Sequence, residues 1–145
     1  MSLALTDVRA DLEAWCRSYV TAFESYDAEA IAAHWTFPAL TTQAGKSFTF
    51  KSAEHFAKNT GLLLGFYKAQ KVERVERRVV ELLDMSAGAV SMTVQDRMLD
   101  AEGNEIAAWQ AAYVLQRVDG AWKAVAAVAD GEVDAWAARG TPLSG

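Results

Sequence analysis

The last third of the 145-residue sequence reads as three strands joined by two short loops. Residues 89–99, 105–118 and 121–129 are rich in β-forming residues, and the loops between them contain Asp, Gly and Asn. Hairpin loops fix the register of the strands that they join, and the register decides which side chains share a face. This stretch therefore predicts an antiparallel sheet with a defined inner face.

Counting back from the two loops places Asp96 opposite Trp109, Tyr113 opposite Ala126, and Trp109 opposite Asp130. Most aromatic residues then fall on one face and most polar residues on the other. The predicted inner face collects Val90, Met92, Val94, Asp96, Met98, Trp109, Tyr113, Leu115, Trp122, Val128 and Asp130. Small residues on the same face leave room either for a packed helix or for a ligand; they are Ala107, Ala111, Ala124 and Ala126.

The rest of the chain predicts helices followed by further strands. An apolar stripe of three- and four-residue steps predicts a first helix that ends near Glu24. Asp27 is expected to cap a short helix that stops at Phe37-Pro38, and Ser52 a third helix that runs to about residue 67. Strands are expected at 39–43, 47–50 and 70–85, and a short helix at 133–139, after Gly131 ends regular structure. This order predicts one α+β domain over residues 1–145, with a curved antiparallel sheet wrapped around N-terminal helices.

Composition excludes several classes of function. The net charge is −5, and the basic residues between Lys68 and Arg78 alternate with glutamates, so we expect no nucleic-acid binding. No apolar run is long enough for a transmembrane helix, and the first residues lack the pattern of a signal peptide. Cys16 is the only cysteine, which fits a reducing compartment, so we expect a cytoplasmic protein without membrane contact.

Two acidic residues on the predicted inner face suggest acid–base chemistry. Groups two strands apart are on the order of 10 Å apart, so Asp96 and Asp130 could flank one small molecule as acid and base. An ordinary ion pair is the alternative for Asp96, because Arg77 or Arg78 falls opposite it, depending on one residue of register. Asp130 lies at a strand end, where it could instead cap the terminal segment.

His34 and Tyr19 are further candidates, and each has a structural alternative. His34 could act as a base in the pocket or hydrogen-bond a carbonyl at a helix end. Tyr19 could donate its hydroxyl to a ligand or serve as an ordinary core tyrosine. Two distant histidines and one cysteine give no metal-ligand spacing, and no glycine-rich phosphate loop is present. We therefore expect neither a metal nor another cofactor.

The chain resembles the nuclear transport factor 2-like superfamily, with the SnoaL-like and ketosteroid-isomerase-like branches nearest in pattern. The resemblance lies in the order of the elements, in residues 23–31 (FESYDAEAI) and in residues 113–123 (YVLQRVDGAWK). It covers nearly the whole chain. The resemblance implies a cone-shaped sheet around a helix, a hydrophobic pocket at the wide end, and a homodimer through the outer face of the sheet.

The resemblance also bears on the reaction. Tyr19 matches the oxyanion-hole tyrosine of ketosteroid isomerases in its spacing, but the positions of their two acids fall near Thr42 or Gln43 and within 111–113, where no acid stands. Ketosteroid isomerisation is therefore not expected. The limonene-epoxide-hydrolase branch uses an Asp-Arg-Asp set, which Asp96, Arg77 and Asp130 could imitate in type.

The leading hypothesis is a small-molecule-binding protein with a mostly apolar pocket for a hydrophobic molecule. Its expected lining is Tyr19, His34, Trp35, Arg77, Asp96, Trp109, Tyr113 and Asp130. If it is an enzyme, Asp96 would be the acid or base, and Asp130 or His34 its complement. The alternative is a non-catalytic homodimeric module with Asp96 tied to arginine and a filled interior. The volume beside Asp96 discriminates between the two.

Overall fold

The computed structural model describes residues 5–86 and 88–143. Their elements are α1 (Leu5–Glu24), α2 (Ala28–Ala32), β1 (Trp35–Gln43), β2 (Lys46–Phe50), α3 (Ala53–Ala69), β3 (Arg74–Ser86), β4 (Ala89–Leu99), β5 (Glu105–Val118), β6 (Ala121–Val128) and α4 (Asp130–Arg139). The strands form one six-stranded sheet in the order β2-β1-β6-β5-β4-β3. Only the β1–β6 pair among these neighbours is parallel. The predicted α+β class, with a curved sheet around N-terminal helices, is confirmed.

The first three helices form in the predicted segments, although α2 is shorter and α3 longer than predicted. The stripe on α1 is buried against the sheet, and its buried members include Val8, Leu12, Trp15, Cys16 and Tyr19. The Asp27 carboxylate accepts a hydrogen bond from the Ala30 amide at 3.0 Å and so caps α2. Ser52 caps α3 in the same way, because its hydroxyl accepts from the His55 amide at 3.1 Å. None of the described helices combines the length and apolar character needed to cross a membrane.

The central register is confirmed. β4 and β5 have the predicted bounds, and Asp96 pairs with Trp109, as Met92 pairs with Tyr113. On the other side of β4, Arg77 rather than Arg78 stands opposite Asp96. Ala87, in the predicted turn between these two strands, lies outside the described residues.

The register of β6 was predicted wrongly beyond its first half. Leu115 pairs with Ala124, whereas Val114 pairs with Ala126, so β6 carries one extra residue at this point. The bulge reverses which face the later residues occupy: Ala127, not Ala126, stands opposite Tyr113, and Val128 is 49% exposed. The physical reason is that small apolar residues on both faces give this segment no alternation that would fix its register.

The predicted pairing of Trp109 with Asp130 is also wrong. β6 ends at Val128, and Asp130 is an exposed residue at the start of α4. Gly131 continues the helix instead of ending regular structure. A Cβ at this glycine would lie 2.4 Å from the Gln110 carbonyl oxygen, so α4 crosses β5 at a distance that only glycine allows.

Two other boundaries differ from prediction. α2 ends at Ala32, and β1 begins at Trp35 and runs through Pro38. The pairing of β1 with β6 is irregular between Trp35 and Leu40, which accommodates a residue without an amide proton. The strand predicted over 70–85 is β3 and begins only at Arg74, because α3 continues to Ala69.

The C-terminal helix closes one end of the core. The fully buried Trp136 ring packs 5.0 Å from the ring of Phe66, 6.0 Å from Tyr67 and 5.9 Å from Trp109, measured between ring centres. These contacts fix α4 between α3 and β5. As a result, the first turn of α4 lies over the concave face of the sheet.

Candidate functional site

A cavity of about 750 Å³ lies between the concave sheet and helices α1, α3 and α4. Its lining is mostly apolar and rich in aromatic rings. Its lining includes Tyr19, Phe23, Trp35, Phe56, Phe66, Tyr67, Arg77, Asp96, Trp109, Ala111, Tyr113 and Glu132. Six of the predicted site residues therefore share one cavity: Tyr19, Trp35, Arg77, Asp96, Trp109 and Tyr113. The described lining does not include His34 or Asp130.

Arg77 and Asp96 form a buried two-point ion pair. Arg77 Nε donates to Asp96 Oδ1 at 2.7 Å, and Nη2 donates to Oδ2 at 2.8 Å. Their side chains are only 6% and 3% exposed. Burial alone would lower the pKa of Arg77, but the charge of Asp96 outweighs it and holds that pKa well above its ordinary value. The two charges cancel, which is the ion-pair alternative that the sequence left open for Asp96.

Two tyrosine hydroxyls next to this pair accept hydrogen bonds. Arg77 Nη2 also donates to the Tyr113 hydroxyl at 2.9 Å, and the Trp35 indole donates to the Tyr19 hydroxyl at 2.9 Å. The Arg77 guanidinium stacks on the Tyr19 and Tyr113 rings at 5.2 and 4.9 Å. Burial raises the pKa of Tyr113 to about 12 and also raises that of Tyr19, so both keep their protons. Each hydroxyl can therefore still donate one hydrogen bond.

His34 lies outside the cavity with both ring nitrogens engaged. Nδ1 donates to the Ala30 carbonyl oxygen, 2.7 Å away, and Nε2 accepts from the Ser18 hydroxyl at 2.8 Å. Burial lowers the pKa of His34, which favours this neutral form. The ring also packs against Trp15 and Tyr19. The structure thus places His34 in a capping and packing position rather than beside Asp96.

Glu132 is a cavity residue that sequence reasoning missed. The Tyr67 hydroxyl donates to its Oε2 atom, and the Trp136 indole donates to the same oxygen at 3.1 Å. Burial raises the pKa of Glu132 to about 7, although both hydrogen bonds oppose the shift. The sequence predicts a last helix over 133–139, which places Glu132 in the preceding loop, whereas α4 begins at Asp130. A signal existed, since Glu132 and Trp136 are four residues apart and a buried indole needs an acceptor.

The described residues hold no group of three or more histidine, cysteine or acidic side chains placed to bind a metal ion. The polar groups that face the cavity include one neutralised ion pair, three phenols and one carboxyl of raised pKa, and side chains such as Ser47, His55 and Asn59 also line it. Such a set can hydrogen-bond a ligand oxygen or nitrogen, pair with a charge, or exchange a proton.

This fold and cavity define a cystatin-like, nuclear transport factor 2-like (NTF2-like) protein. The sequence model of the family described as "NTF2-like protein (DUF6841)" matches residues 10–132. The chain therefore belongs to this family, and the predicted superfamily is confirmed. No curated protein matches the sequence.

Solved structures agree on the fold. A domain of unknown function with a cystatin-like fold from Nostoc punctiforme is 19% identical, with a TM-score of 0.68, over 87% of this chain and 77% of that one. A ketosteroid isomerase-like protein from Erwinia carotovora atroseptica is 21% identical, with a TM-score of 0.60, over 82% and 92%. An NTF2-like protein from Novosphingobium aromaticivorans is 17% identical, with a TM-score of 0.64, over 92% and 89%. At these identities the similarity establishes the fold alone.

Proposed function

We propose that the protein binds a small, mostly hydrophobic molecule in the cavity between the sheet and α1, α3 and α4. The observation that carries this proposal is the cavity itself, whose volume of about 750 Å³ coincides with an aromatic lining. Ligand sites of roughly 300–1,000 Å³ with apolar walls and a few fixed polar groups are typical of small-molecule binders. A chain that needed only a stable core would bury these rings against each other.

The polar groups of the cavity fit an orienting role. The Tyr19 and Tyr113 hydroxyls each have a hydrogen left to donate, and each oxygen is held by a fixed donor, Trp35 or Arg77. Arg77 is itself held by Asp96. In this proposal Asp96 positions the donors, and a ligand that carries an oxygen or nitrogen acceptor places it against the two phenols.

Filling the cavity tests this proposal. Ala111 lines the cavity beside Tyr113, so Ala111→Phe should occupy ligand volume. Ala138 is exposed on α4, and Ala138→Phe is the control of equal size. Hydrophobic probes such as phenylbutanol, titrated against tryptophan fluorescence, should bind the wild type and Ala138→Phe but lose at least about tenfold in affinity in Ala111→Phe. Equal binding by all three proteins would place the probe elsewhere and refute the proposal.

Cofactor-free acid–base catalysis on such a ligand is a second candidate, and one observation favours it. Glu132 has a pKa of about 7 and lines the same cavity, and a carboxyl of this kind can give and take protons near neutral pH. This assigns proton transfer to Glu132 rather than to Asp96, whose charge Arg77 neutralises, or to Asp130 and His34, which lie apart. Ring opening of nitrobenzisoxazole reports on a carboxylate base, which removes the ring C–H proton as the N–O bond breaks. Wild type should accelerate it with an inflection near pH 7, and Glu132→Gln should not; equal rates would exclude the role.

Homodimerisation through the outer face of the sheet is proposed as well. Thr93, Ala112 and Val114 lie on this face and keep part of their surface exposed to solvent. A partly exposed apolar surface of this kind is suited to contact with a second copy of the chain. Val114→Glu should convert a dimer into a monomer in sedimentation at micromolar concentration, whereas Val114→Thr should not. A monomeric wild type would refute the dimer. The cytoplasmic location predicted above stays a prediction.

A further inference from the structure

Charge is distributed unevenly within the cavity. Arg77 and Asp96 satisfy each other, so together they contribute no net charge. Glu132 is held through Oε2 alone, and Oε1 has no hydrogen-bond partner in the part of the chain that the structure describes. The donors on Oε2 are a phenol and an indole, which carry no charge. When Glu132 is ionised, its carboxylate therefore carries a negative charge that no neighbouring cation among the described residues compensates.

An aromatic cluster holds this carboxyl. Tyr67 and Trp136 bind it directly, Trp136 packs on Phe66 and Trp109, and Phe23 lies 6.1 Å from the Tyr67 ring. The faces of such rings are negative and attract organic cations, above all away from bulk water. A carboxylate with a free oxygen inside an aromatic cavity is suited to a protonated amine, which brings both a charge and N–H donors.

The opposite ligand charge fits poorly. An anion would face Glu132 and Asp96, and the cation nearest to it, Arg77, already has its Nε and Nη2 atoms committed to Asp96. Arg77 Nη1 lacks a hydrogen-bond partner among the described residues, but it is fully buried. A neutral ligand would leave Glu132 without an opposite charge. Each alternative predicts a different order of affinities, so they are separable.

We propose that the ligand class of this cavity is hydrophobic amines, whose protonated nitrogen pairs with Oε1 of Glu132 while the apolar body fills the aromatic cavity. This inference rests on the proposed binding function and adds the charge of the ligand to it. It assigns recognition to α4, an element outside the Arg77–Asp96 centre.

The pairing makes binding dependent on pH. Glu132 must be ionised to attract an ammonium group, and its pKa in the unliganded protein is about 7. Amine affinity should therefore fall as the pH drops below 7, and binding at pH 6 should release a proton from the carboxyl. The ionisable groups around Glu132 are Tyr67, Tyr113, Asp96 and Arg77, with His55 also on the cavity wall. Burial raises the pKa of Tyr67 and of Tyr113, so both phenols keep their protons, and the charge of Asp96 holds the pKa of Arg77 well above its ordinary value. The proton released on amine binding is therefore assigned to Glu132.

Three probes of one shape test the inference: phenylbutylamine, phenylbutanol and phenylbutanoate. Calorimetric titration of the full chain at pH 8 should show the amine binding about tenfold more tightly than the alcohol, with the carboxylate weakest. In Glu132→Gln, the affinity for the amine should fall to that for the alcohol. The affinity for the alcohol should stay within about twofold of its wild-type value. Asp134→Asn, which removes a charge from an exposed position of α4, should leave the order unchanged. Titration of the wild type at pH 6 in buffers of different ionisation enthalpy should detect the released proton without any variant.

The outcomes separate the two proposals. If the alcohol binds the wild type as tightly as the amine, or the carboxylate binds best, the amine inference is wrong while the binding function stands. The same holds if Glu132→Gln keeps the preference for the amine, or if no proton is released at pH 6. If none of the three probes binds the wild type, the binding function fails and the inference fails with it.

Discussion

Two carboxyl groups share the cavity, and they differ in what holds them. Asp96 lies in the middle of the sheet, where Arg77 reaches both of its oxygens from the neighbouring strand. Glu132 lies on the first turn of a helix, where a tyrosine and a tryptophan reach only one oxygen. Both line the same cavity, but of the two only Asp96 forms an ion pair with a cation.

The difference shows that burial alone does not decide the state of an acid. A buried carboxylate with a guanidinium partner stays charged and serves as a fixed acceptor. A carboxyl that is buried against neutral donors loses hydration without regaining it, and the pKa of Glu132 rises to about 7 for this reason. The sheet therefore supplies a rigid anchor, and the helix supplies the group that can respond to a ligand or to pH.

Removing the cation from the first of these centres should have the largest effect. Arg77→Met leaves Asp96 buried without a partner, and we expect unfolding in urea to show a loss of about 3–5 kcal/mol. The double variant Arg77→Met, Asp96→Leu should recover much of this loss, because it removes the orphaned charge. Arg74→Met is the matched control, since the side chain of Arg74 is 60% exposed, and it should change stability by less than about 0.5 kcal/mol. Equal losses in the single and double variants would mean that Asp96 does not depend on its partner.

Glu132 should make the stability of the protein depend on pH. The pKa of Glu132 is about 7 in the folded chain, against an ordinary value of 4.5, so the folded state holds an extra proton between these values. The stability from Glu132 is complete below about pH 4.5 and is lost as the pH rises through 7. Because the side chain is partly exposed, we expect the wild type to lose only about 1–3 kcal/mol relative to Glu132→Gln between pH 5 and 8. Urea unfolding of both proteins at pH 5 and pH 8 measures this difference in the free energy of unfolding. If the free energy changes equally in the wild type and in Glu132→Gln, Glu132 is not the source of the pH dependence.

The contrast between Asp96 and Glu132 also explains why the sequence predicted the position of the first and not that of the second. The pairing of Asp96 with Trp109 follows from one loop and from alternating apolar and polar residues on β4, and both are local signals. Glu132 depends on a bulge at Val125 and on the crossing of Gly131 over Gln110, which are set by packing between distant segments. The four-residue spacing between Glu132 and Trp136 is the one local signal that favours Glu132 over Asp130 as the inward acid.

The crossing of α4 over β5 should be sensitive to one added methyl group. A Cβ at Gly131 would lie 2.4 Å from the Gln110 carbonyl oxygen, so Gly131→Ala should displace the helix and cost about 1–3 kcal/mol in urea unfolding. Because the same helix carries Glu132, the pH dependence described above should weaken in this variant. Gly61→Ala on α3 is the control, since a Cβ there meets nothing within 4 Å, and it should be stabilising by about 0.5–1 kcal/mol.

The smallest effect is expected at the acid that stands two residues before Glu132. Asp130 is exposed at the start of α4, so Asp130→Asn loses only its favourable charge near the helix N-terminus, about 0.5 kcal/mol, and asparagine is itself tolerated there. Amine affinity should stay within about twofold of the wild type. A tenfold loss of probe binding in Asp130→Asn, with Glu132→Gln unaffected, would assign the acidic role to Asp130 and remove it from Glu132. Equal effects of the two variants would instead show that the net charge of α4 matters and that the contact made by Glu132 does not.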